Sequence, residues 1–410
     1  MRYQPRVSRR GPAGPSSHAR RASSIDGFGM IRVVRVVWLI VAAAELAILL
    51  LIAAPKNPDK PGSTGGIRTA AAQLRGTGPP IDLVQDYVGA RDVARGREAY
   101  PVLTQAFASV GLTWSAPHRS THPPTAFLLA LPVAWLPWNA AATVWMVLML
   151  AALAGAYWAL GMPPASAAAL APLTLVWPPG AWSMGQLTPL WLLGLALAWR
   201  VRERPARAGA AIALASLTKL LPALSLLPFL LLRRWSVLRG FVIVWGAAVT
   251  LLLVLDLGAI ADYARVVRTV SDDQAARREN AALLWAAEHN YGAAGVAVAT
   301  VVVASVLVQS LRRTRKLGAL DRLTWDGVSW AGVALLPIAW IYSLLPLLPA
   351  IARLARRGGV VAAALALLTL AIPFTIDPFG LPGAIRLAFA TAAVGVALLI
   401  VHQKLVSRAE

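Results

Sequence analysis

The sequence contains no cysteine among its 410 residues. Disulfide frameworks and thiolate chemistry are therefore excluded. Acidic residues are also scarce, since 18 Asp and Glu stand against 39 Lys and Arg, and charged residues make up only 14% of the chain. Soluble domains of this length carry more charge than this and distribute it more evenly. The scarcity of charge therefore argues against a soluble protein.

Apolar residues make up 58% of the chain. A helix needs about 20 mostly apolar residues to cross the hydrocarbon of a bilayer, and the segments 36–54 and 140–160 are two of several that meet this requirement. The sequence predicts an all-α polytopic membrane protein, a bundle of about 10–12 hydrophobic helices. Two larger outer loops are expected at 55–124 and 256–290.

A net charge of +21 is compatible with nucleic-acid binding, but the positions of the basic residues argue against it. These residues cluster in short runs at the ends of apolar segments, a pattern that marks the cytoplasmic face and favours anionic membrane lipids. We therefore expect no nucleic-acid partner, and we place both termini in the cytoplasm and the protein in the plasma membrane. The runs are 2–35, 200–207, 233–239, 312–316, 353–357 and 404–408.

Three parts are predicted along the chain. Residues 1–32 are rich in Arg, Ser, Pro and Gly and are expected to form a disordered basic tail. Residues 33–402 form the multi-span membrane domain, and 403–410 form a cytoplasmic tail.

All the basic loops lie on the cytoplasmic side only if one of the apolar segments does not cross the membrane. Segment 125–136 is the best candidate, because it spans about 18 Å and ends before Pro137. We predict that it is a short re-entrant segment. This orientation places His122, Gln186 and Lys219 on or near the outer side.

Asp82 and Asp86 are the first candidates for chemistry. Apolar residues recur at helical spacing over 81–100, which predicts an amphipathic helix on the outer membrane surface. Residues four apart on a helix share a face, and a carboxylate there could act as a general base toward an attacking hydroxyl. The alternative is that both are solvated loop acids near Arg91 and Arg95.

Two cationic candidates follow. His122 precedes two prolines that would start a helix, and it could hydrogen-bond a phosphate or a sugar hydroxyl or be structural. Lys219 lies within an apolar stretch, where an ionisable residue is a functional candidate. An anion such as a lipid phosphate would suit it, and snorkelling to the outer interface is the alternative.

The remaining polar positions are less specific. Gly185 and Gln186 form a polar break between two spans, which is either a backbone turn facing a cavity or an ordinary tight turn. Glu45 lies deep in the first span and must face protein, water or a cation. Most polar residues of loop 256–290 are expected to be solvated. No nucleotide-binding lysine loop and no zinc-ligand spacing occur, so no cofactor or metal is expected.

Several of these segments together resemble glycosyltransferase family 87, the polyprenyl-phosphate-dependent mannosyltransferases with the C-type membrane fold. The resemblance covers about 81–232 and continues more weakly through the second outer loop. It rests on an ordered series of short motifs. These are Asp82, Gly89-Ala90-Arg91, Gly96 and Tyr100, then His122-Pro123-Pro124 through Leu136-Pro137, Gly185-Gln186, Lys219 to Pro222, and Arg233-Arg234-Trp235.

The resemblance implies a donor and a mechanism. A sugar, mannose or another hexose or pentose, would pass from a polyprenyl phosphate to an extracytoplasmic lipid or glycan acceptor with inversion. The family's first-loop acid corresponds to Asp82, with Asp86 as the competing assignment, and the second-loop Asn corresponds to Asn280. Lys219 and His122 would balance the leaving phosphate, although many family members have Tyr at the His122 position. Gln186 would lie in the same donor-binding region.

Two other classes fit part of the sequence. A polytopic lipid or solute transporter or flippase would explain the many spans, but it would predict repeated halves, and no convincing internal repeat is present. A structural subunit would explain the hydrophobicity alone and would leave the Asp, His, Gln and Lys series without a role.

Overall fold

The protein is described from a computed structural model that covers residues 80–113, 117–176, 185–275, 280, 282–339, 341–356 and 383–406. The predicted tail at 1–32, the first span with Glu45 and the apolar segment 360–372 lie outside the described residues. The described parts are mostly helical and include no β-strand, although Val102 and Arg119 form an isolated bridge.

The helices are numbered in chain order. They are α1 (Ile81–Val93), α2 (Leu103–Ser109), α3 (Pro124–Ala134), α4 (Trp138–Ala159), α5 (Pro164–Val176), α6 (Thr188–Arg200), α7 (Pro205–Thr218), α8 (Leu227–Leu231), α9 (Ser236–Leu255), α10 (Ala259–Ala275), α11 (Leu283–Leu317), α12 (Arg322–Ala334), α13 (Leu348–Arg356) and α14 (Gly383–Val406). Two 3₁₀ helices occupy Leu221–Leu226 and Ile341–Leu347.

Prolines and caps explain where several helices begin and end. α3 and α7 start at Pro124 and Pro205, positions where the missing N–H costs no helical hydrogen bond. The Asp321 side chain caps α12 by accepting from the Thr324 backbone N–H over 2.9 Å. α11 ends at Leu317, and Gly318 follows it with a left-handed φ of 60°. α11 is also interrupted at Gly292, where φ is 58° and ψ is −152°.

Three helices among the described residues are long and apolar enough to cross a membrane: α4, α9 and α11. Large apolar side chains of α9 remain exposed, including Val242, Ile243 and Val254 at 61%, 62% and 78%. An apolar surface of this kind is suited to lipid rather than to water. A helical membrane protein is therefore supported, while the count of 10–12 spans stays a prediction.

Most of the close contacts in the central part are between helices that are near each other along the chain. α7 lies against both α6 and α9, α6 packs on α4, and α11 packs on α12 and α14. The contact between α7 and α9 is close because glycine occupies both helices. A Cβ on Gly240 would lie 1.7 Å from the Ala206 carbonyl oxygen, and one on Gly209 would lie 1.9 Å from that of Val237. Small residues of this kind let helix backbones approach in membranes.

The prediction for the first outer helix was partly wrong. A helix is present, but α1 ends at Val93 rather than near Tyr100, and it does not lie open on a surface. Its apolar and acidic residues alike are buried, and among those with described side chains only Gln85 and Arg91 are partly exposed. The reason is that α1 packs against α3. The nearest atoms of the Phe127 ring lie only 2.8 Å from the position that a Cβ on Gly89 would take.

The second outer loop also contains more structure than predicted. α10 occupies much of it, and α11 begins at Leu283, before the predicted end of the loop at residue 290. The apolar segment 125–136 forms α3, whose eleven residues are fewer than a crossing requires. Its re-entrant placement stays a prediction.

Candidate functional site

Asp82 and Asp86 lie on one turn of α1 and are both withdrawn from solvent. Asp82 is 7% exposed and accepts a hydrogen bond from Gln85 Nε2 at 3.2 Å. Asp86 is fully buried. Burial of a carboxylate is costly unless other groups compensate its charge. The alternative of two solvated loop acids is therefore wrong for this pair.

His122 supplies the partner of Asp86. Its Nδ1 lies 2.8 Å from Asp86 Oδ1, joining the start of α3 to the middle of α1. The other oxygen, Asp86 Oδ2, is buried and has no hydrogen-bond partner among the described residues. The backbone around His122 is also held, because its carbonyl accepts from Tyr100 Oη at 2.9 Å and its N–H donates to Ser120 Oγ at 3.2 Å.

The electrostatic environment of His122 favours its protonated form. Burial alone lowers its pKa, but the charge of Asp86, the hydrogen bond to Asp86 and the charge of Asp82 outweigh this and raise the pKa above its ordinary value. Lys219 acts on the same ring in the opposite direction. His122 thus belongs to one electrostatic group with both acids and Lys219.

Lys219 is the residue at which α7 stops. Its φ of −158° and ψ of 145° are extended, and it is partly exposed. The end of α7 is fixed to the start of α3, since Thr125 Oγ1 donates to the Leu217 carbonyl over 2.9 Å. This link brings the turn with Lys219 toward the segment with His122, and Lys219 interacts electrostatically with Asp82.

Gly185 and Gln186 form the turn before α6, next to the start of α1. The φ of Gly185 is +71°, and a Cβ there would lie 2.8 Å from Pro80 Cβ and 2.9 Å from Leu83 Cβ. Trp145 of α4 donates from Nε1 to the Gly185 carbonyl at 2.9 Å. Gln186 is 3% exposed. The turn thus supports the helix that carries the acids, and donor binding by Gln186 stays a prediction.

Asn280 has a separate set of contacts. Its Oδ1 accepts from the backbone N–H groups of Ala282 and Ala339, each at 3.0 Å, and its Nδ2 donates to the Pro337 carbonyl at 3.3 Å. These bonds join the start of α11 to the segment after α12 and account for its complete burial. A role for Asn280 in donor binding stays a prediction.

Three residues near the site were not predicted to belong to it. Tyr100 holds the His122 carbonyl and stacks on Tyr263 of α10, with ring centroids 6.0 Å apart. Burial, the neighbouring Tyr263 and the charge of Asp86 raise the pKa of Tyr100, which keeps its hydroxyl protonated. Arg119 donates to the Glu98 carboxylate and the Tyr100 carbonyl. The Tyr100 position was visible in the motif series, whereas nothing in the sequence indicated Arg119 or Tyr263.

A model of glycosyltransferase family 87 matches residues 121–337, which is more than half of the chain. The chain belongs to glycosyltransferase family 87. The family identifies the protein as a membrane glycosyltransferase, which uses a sugar donor and an acceptor. Comparison with curated proteins and with solved structures gave no match.

The match to family 87 begins at residue 121, so it includes His122, Gln186, Lys219 and Asn280 but not Asp82 or Asp86. Helical spacing and the resemblance both pointed to the two acids, which lie in a segment that the matched range leaves out. In the structure, Asp86 nevertheless contacts His122, a residue within the match. This contact connects the unmatched helix α1 to the family region.

Proposed function

We propose that this family 87 glycosyltransferase moves a sugar, mannose in the simplest case, from a polyprenyl phosphate to a lipid or glycan acceptor. The observation that carries this proposal is the meeting of two buried carboxylates with two cationic side chains. Asp86 is bonded to His122, and Asp82 interacts with both His122 and Lys219. Such a group combines a proton acceptor with positive charge for a leaving phosphate.

The chemistry is a single displacement. The acceptor hydroxyl loses its proton to a carboxylate of α1, Asp82 or Asp86, and its oxygen forms a bond to the anomeric carbon. The bond between that carbon and the phosphate oxygen breaks, and polyprenyl phosphate leaves with the electron pair. Attack opposite the leaving group inverts the anomeric centre.

Lys219 and His122 balance the charge that develops on the leaving phosphate. A fixed cation in a poorly hydrated site is well suited to this task, because it needs no reorganisation as the charge develops. In this mechanism the two side chains replace the positive charge that a metal ion would supply, and Gln186 and Asn280 remain candidates for donor binding.

We further propose the membrane arrangement in which this chemistry occurs. The protein has a C-type glycosyltransferase bundle with α3 re-entrant, both termini in the cytoplasm of a plasma-membrane protein, and the site on the extracytoplasmic side. The short length of α3 and its position beside α1 support this arrangement. The prenyl chain of the donor would lie between helices, with its phosphate near Lys219.

Transfer from radiolabelled polyprenyl-phosphate sugars tests the proposal. Membranes carrying the wild type, Asp82→Asn, Asp86→Asn or Lys219→Met are incubated with a panel of donors, and labelled lipid and polysaccharide products are counted. Asp92→Asn is a matched control, because Asp92 lies on α1 but pairs with Arg97. Membrane levels are compared by immunoblot.

The expected result is transfer by the wild type and by Asp92→Asn, with severe loss in Lys219→Met and in at least one of the two acid variants. If no donor supports transfer by the wild type, or if the three site variants match it, the proposed donor class and mechanism are wrong. Movement of labelled donor across reconstituted bilayers without transfer would instead favour a flippase.

A further inference from the structure

The two acids of α1 differ in their surroundings. Asp82 lies in the first turn of the helix, retains some exposure and interacts with two cationic groups. Asp86 lies one turn further in, is fully buried and is bonded to His122. Residues with different surroundings are expected to have different roles even when they share a face.

We propose that Asp86 is a positioning residue, which holds the His122 ring with Nδ1 toward its carboxylate and leaves Nε2 to donate a hydrogen bond at the phosphate side of the site. The inference rests on the proposed function, because it assigns the roles within the same site. It leaves Asp82 as the catalytic base.

The geometry disfavours Asp86 as the base. A base must come within hydrogen-bond reach of the acceptor hydroxyl, at about 2.6–3.2 Å. Oδ1 of Asp86 is already bonded to the imidazole, and Oδ2 has no exposed surface. The helix residues around it, Leu83 and Tyr87, are also buried. An acceptor would have to displace packed side chains to reach this carboxylate.

The same geometry suits an orienting role. A carboxylate bonded to one imidazole nitrogen fixes the ring orientation and determines that this nitrogen carries a proton. Tyr100 and Ser120 hold the His122 backbone while Asp86 holds its ring, so both the main chain and the side chain are restrained. The remaining ring nitrogen is then presented in a defined direction, as a donor to an anion requires.

The charged groups around His122 are consistent with an imidazolium. Asp82 and Asp86 face it from α1, and Lys219 faces it from the end of α7. Tyr263 and Asp262 of α10 act on Tyr100, which in turn contacts the His122 carbonyl. The charges of the two carboxylates offset those of the two cations. An incoming phosphate therefore meets the His122 imidazolium and the Lys219 ammonium already in place.

The first test is a double-mutant comparison of sugar transfer by the full-length chain in membranes. We expect Asp86→Asn and His122→Gln each to lower kcat by up to about 100-fold, the cost of a misplaced catalytic group. The double variant should be no slower than His122→Gln alone, because residues that act through one another are not additive. Asp82→Asn should lower kcat further than either single change.

The pH profile of transfer separates a positioning role from a structural one. Wild-type kcat should fall on the alkaline side as His122 loses its proton. In Asp86→Asn this fall should move to lower pH, because the carboxylate that favours the imidazolium is gone. A variant that was merely less stable would lose activity without moving this limb. Asp92→Asn should keep the wild-type limb.

A second readout does not depend on activity. The chain has five histidines, and NMR of ¹⁵N-histidine-labelled protein in nanodiscs can follow their titration. The His122 resonance is identified by its loss in His122→Gln. Its pKa should be lower in Asp86→Asn than in the wild type, and unchanged in Asp92→Asn. Gel filtration and thermal melting confirm that each variant is folded.

The outcomes separate the two proposals. If the wild type transfers no sugar, the proposed function fails, while the histidine titration still tests whether Asp86 controls His122. The positioning role is overturned if Asp86→Asn leaves the His122 pKa unchanged. It is also overturned if Asp86→Asn abolishes transfer at every pH while His122→Gln and Asp82→Asn remain active, since Asp86 would then be the base.

Discussion

The indole nitrogen of Trp145 donates to the carbonyl oxygen of Gly185 over 2.9 Å, and this bond fixes the turn on which the start of α1 rests. Gly185 has a φ of +71°, and Pro80 and Leu83 leave no room for a Cβ. Asp82 lies between these two residues in sequence. The position of the proposed base therefore depends on a glycine more than one hundred residues away.

Gly185→Ala should lower the rate of sugar transfer strongly while the protein stays folded. The methyl group adds a clash with Pro80 and Leu83 to the strain of a left-handed backbone, which costs about 1–3 kcal/mol. Relief of the clash moves the first turn of α1 and Asp82 with it, so we expect kcat to fall by about 100-fold. The measurements are kcat for transfer and thermal stability in the same detergent.

Gly161→Ala is the matched control for this change. Gly161 also has a positive φ, +102°, but no atom lies within 4 Å of the Cβ position. It should lose stability through backbone strain while keeping kcat near the wild-type value. Equal kcat values for the two variants would show that the clash with α1 is unimportant for catalysis.

Lys219→Met should affect the chemical step. A methionine fills a similar volume but removes the charge that stabilises the leaving phosphate, so kcat should fall by about 10²–10³-fold. Lys219→Arg should recover part of this rate because it restores the charge with a different geometry. Lys316→Met, which removes an exposed lysine near the end of α11, is the control. A rise in KM with unchanged kcat would assign Lys219 to ground-state binding alone.

The Asp86–His122 pair should make stability depend on pH. The folded-state pKa of His122 is raised, so its contribution is fully present below the unfolded value of about 6.5 and is lost as pH rises through the folded value. The melting-temperature difference between wild type and His122→Gln should therefore shrink as the pH rises above about 6.5. His118→Gln serves as the control. A difference that grew with pH would contradict a raised pKa.

Sequence reasoning predicted the helical segments that became α1, α3 and α4, but not the contacts between them. Apolar length placed the segment 140–160 close to the observed bounds of α4, because a membrane helix is defined by its own composition. The spacing of Asp82 and Asp86 likewise predicted a shared face. The bond between Asp86 and His122 joins residues 36 apart in sequence, and no local pattern records such a contact.

The enclosure of α1 was missed for the same reason. Its composition resembles a surface helix, with three acids and apolar residues at helical spacing. The partners that enclose it are α3 and the Gly185 turn, which come much later in the chain. The contacts of Asn280 could not be predicted for the same reason, since its partners at Pro337 and Ala339 lie nearly sixty residues away.

Gly240→Ala should destabilise the bundle. Its Cβ would lie 1.7 Å from the Ala206 carbonyl oxygen, so α7 and α9 must separate, at a cost of about 1–3 kcal/mol. Gly246→Ala on the same helix meets no atom within 4 Å and should be neutral or stabilising by up to about 1 kcal/mol. Thermal unfolding in detergent measures both. Equal melting temperatures would contradict the close packing of these helices.

The final prediction concerns a buried ion pair between α12 and α13, outside the proposed site. Arg353 of α13 donates from Nε to Asp326 Oδ2 of α12 at 2.7 Å, and a second bond joins its Nη2 to Oδ1. The Asp326 side chain is 4% exposed and that of Arg353 is 19% exposed. Removing one partner of such a pair leaves a buried charge uncompensated, which costs about 3–5 kcal/mol.

Arg353→Met should therefore lower the melting temperature strongly, and Asp326→Asn in the same chain should recover part of the loss because the uncompensated carboxylate is gone. Sugar transfer at a temperature where all variants are folded should stay near the wild-type rate, since neither residue belongs to the proposed site. Additive losses in the double variant would show that the two side chains do not stabilise each other. Loss of transfer with unchanged melting would instead connect α12 and α13 to catalysis.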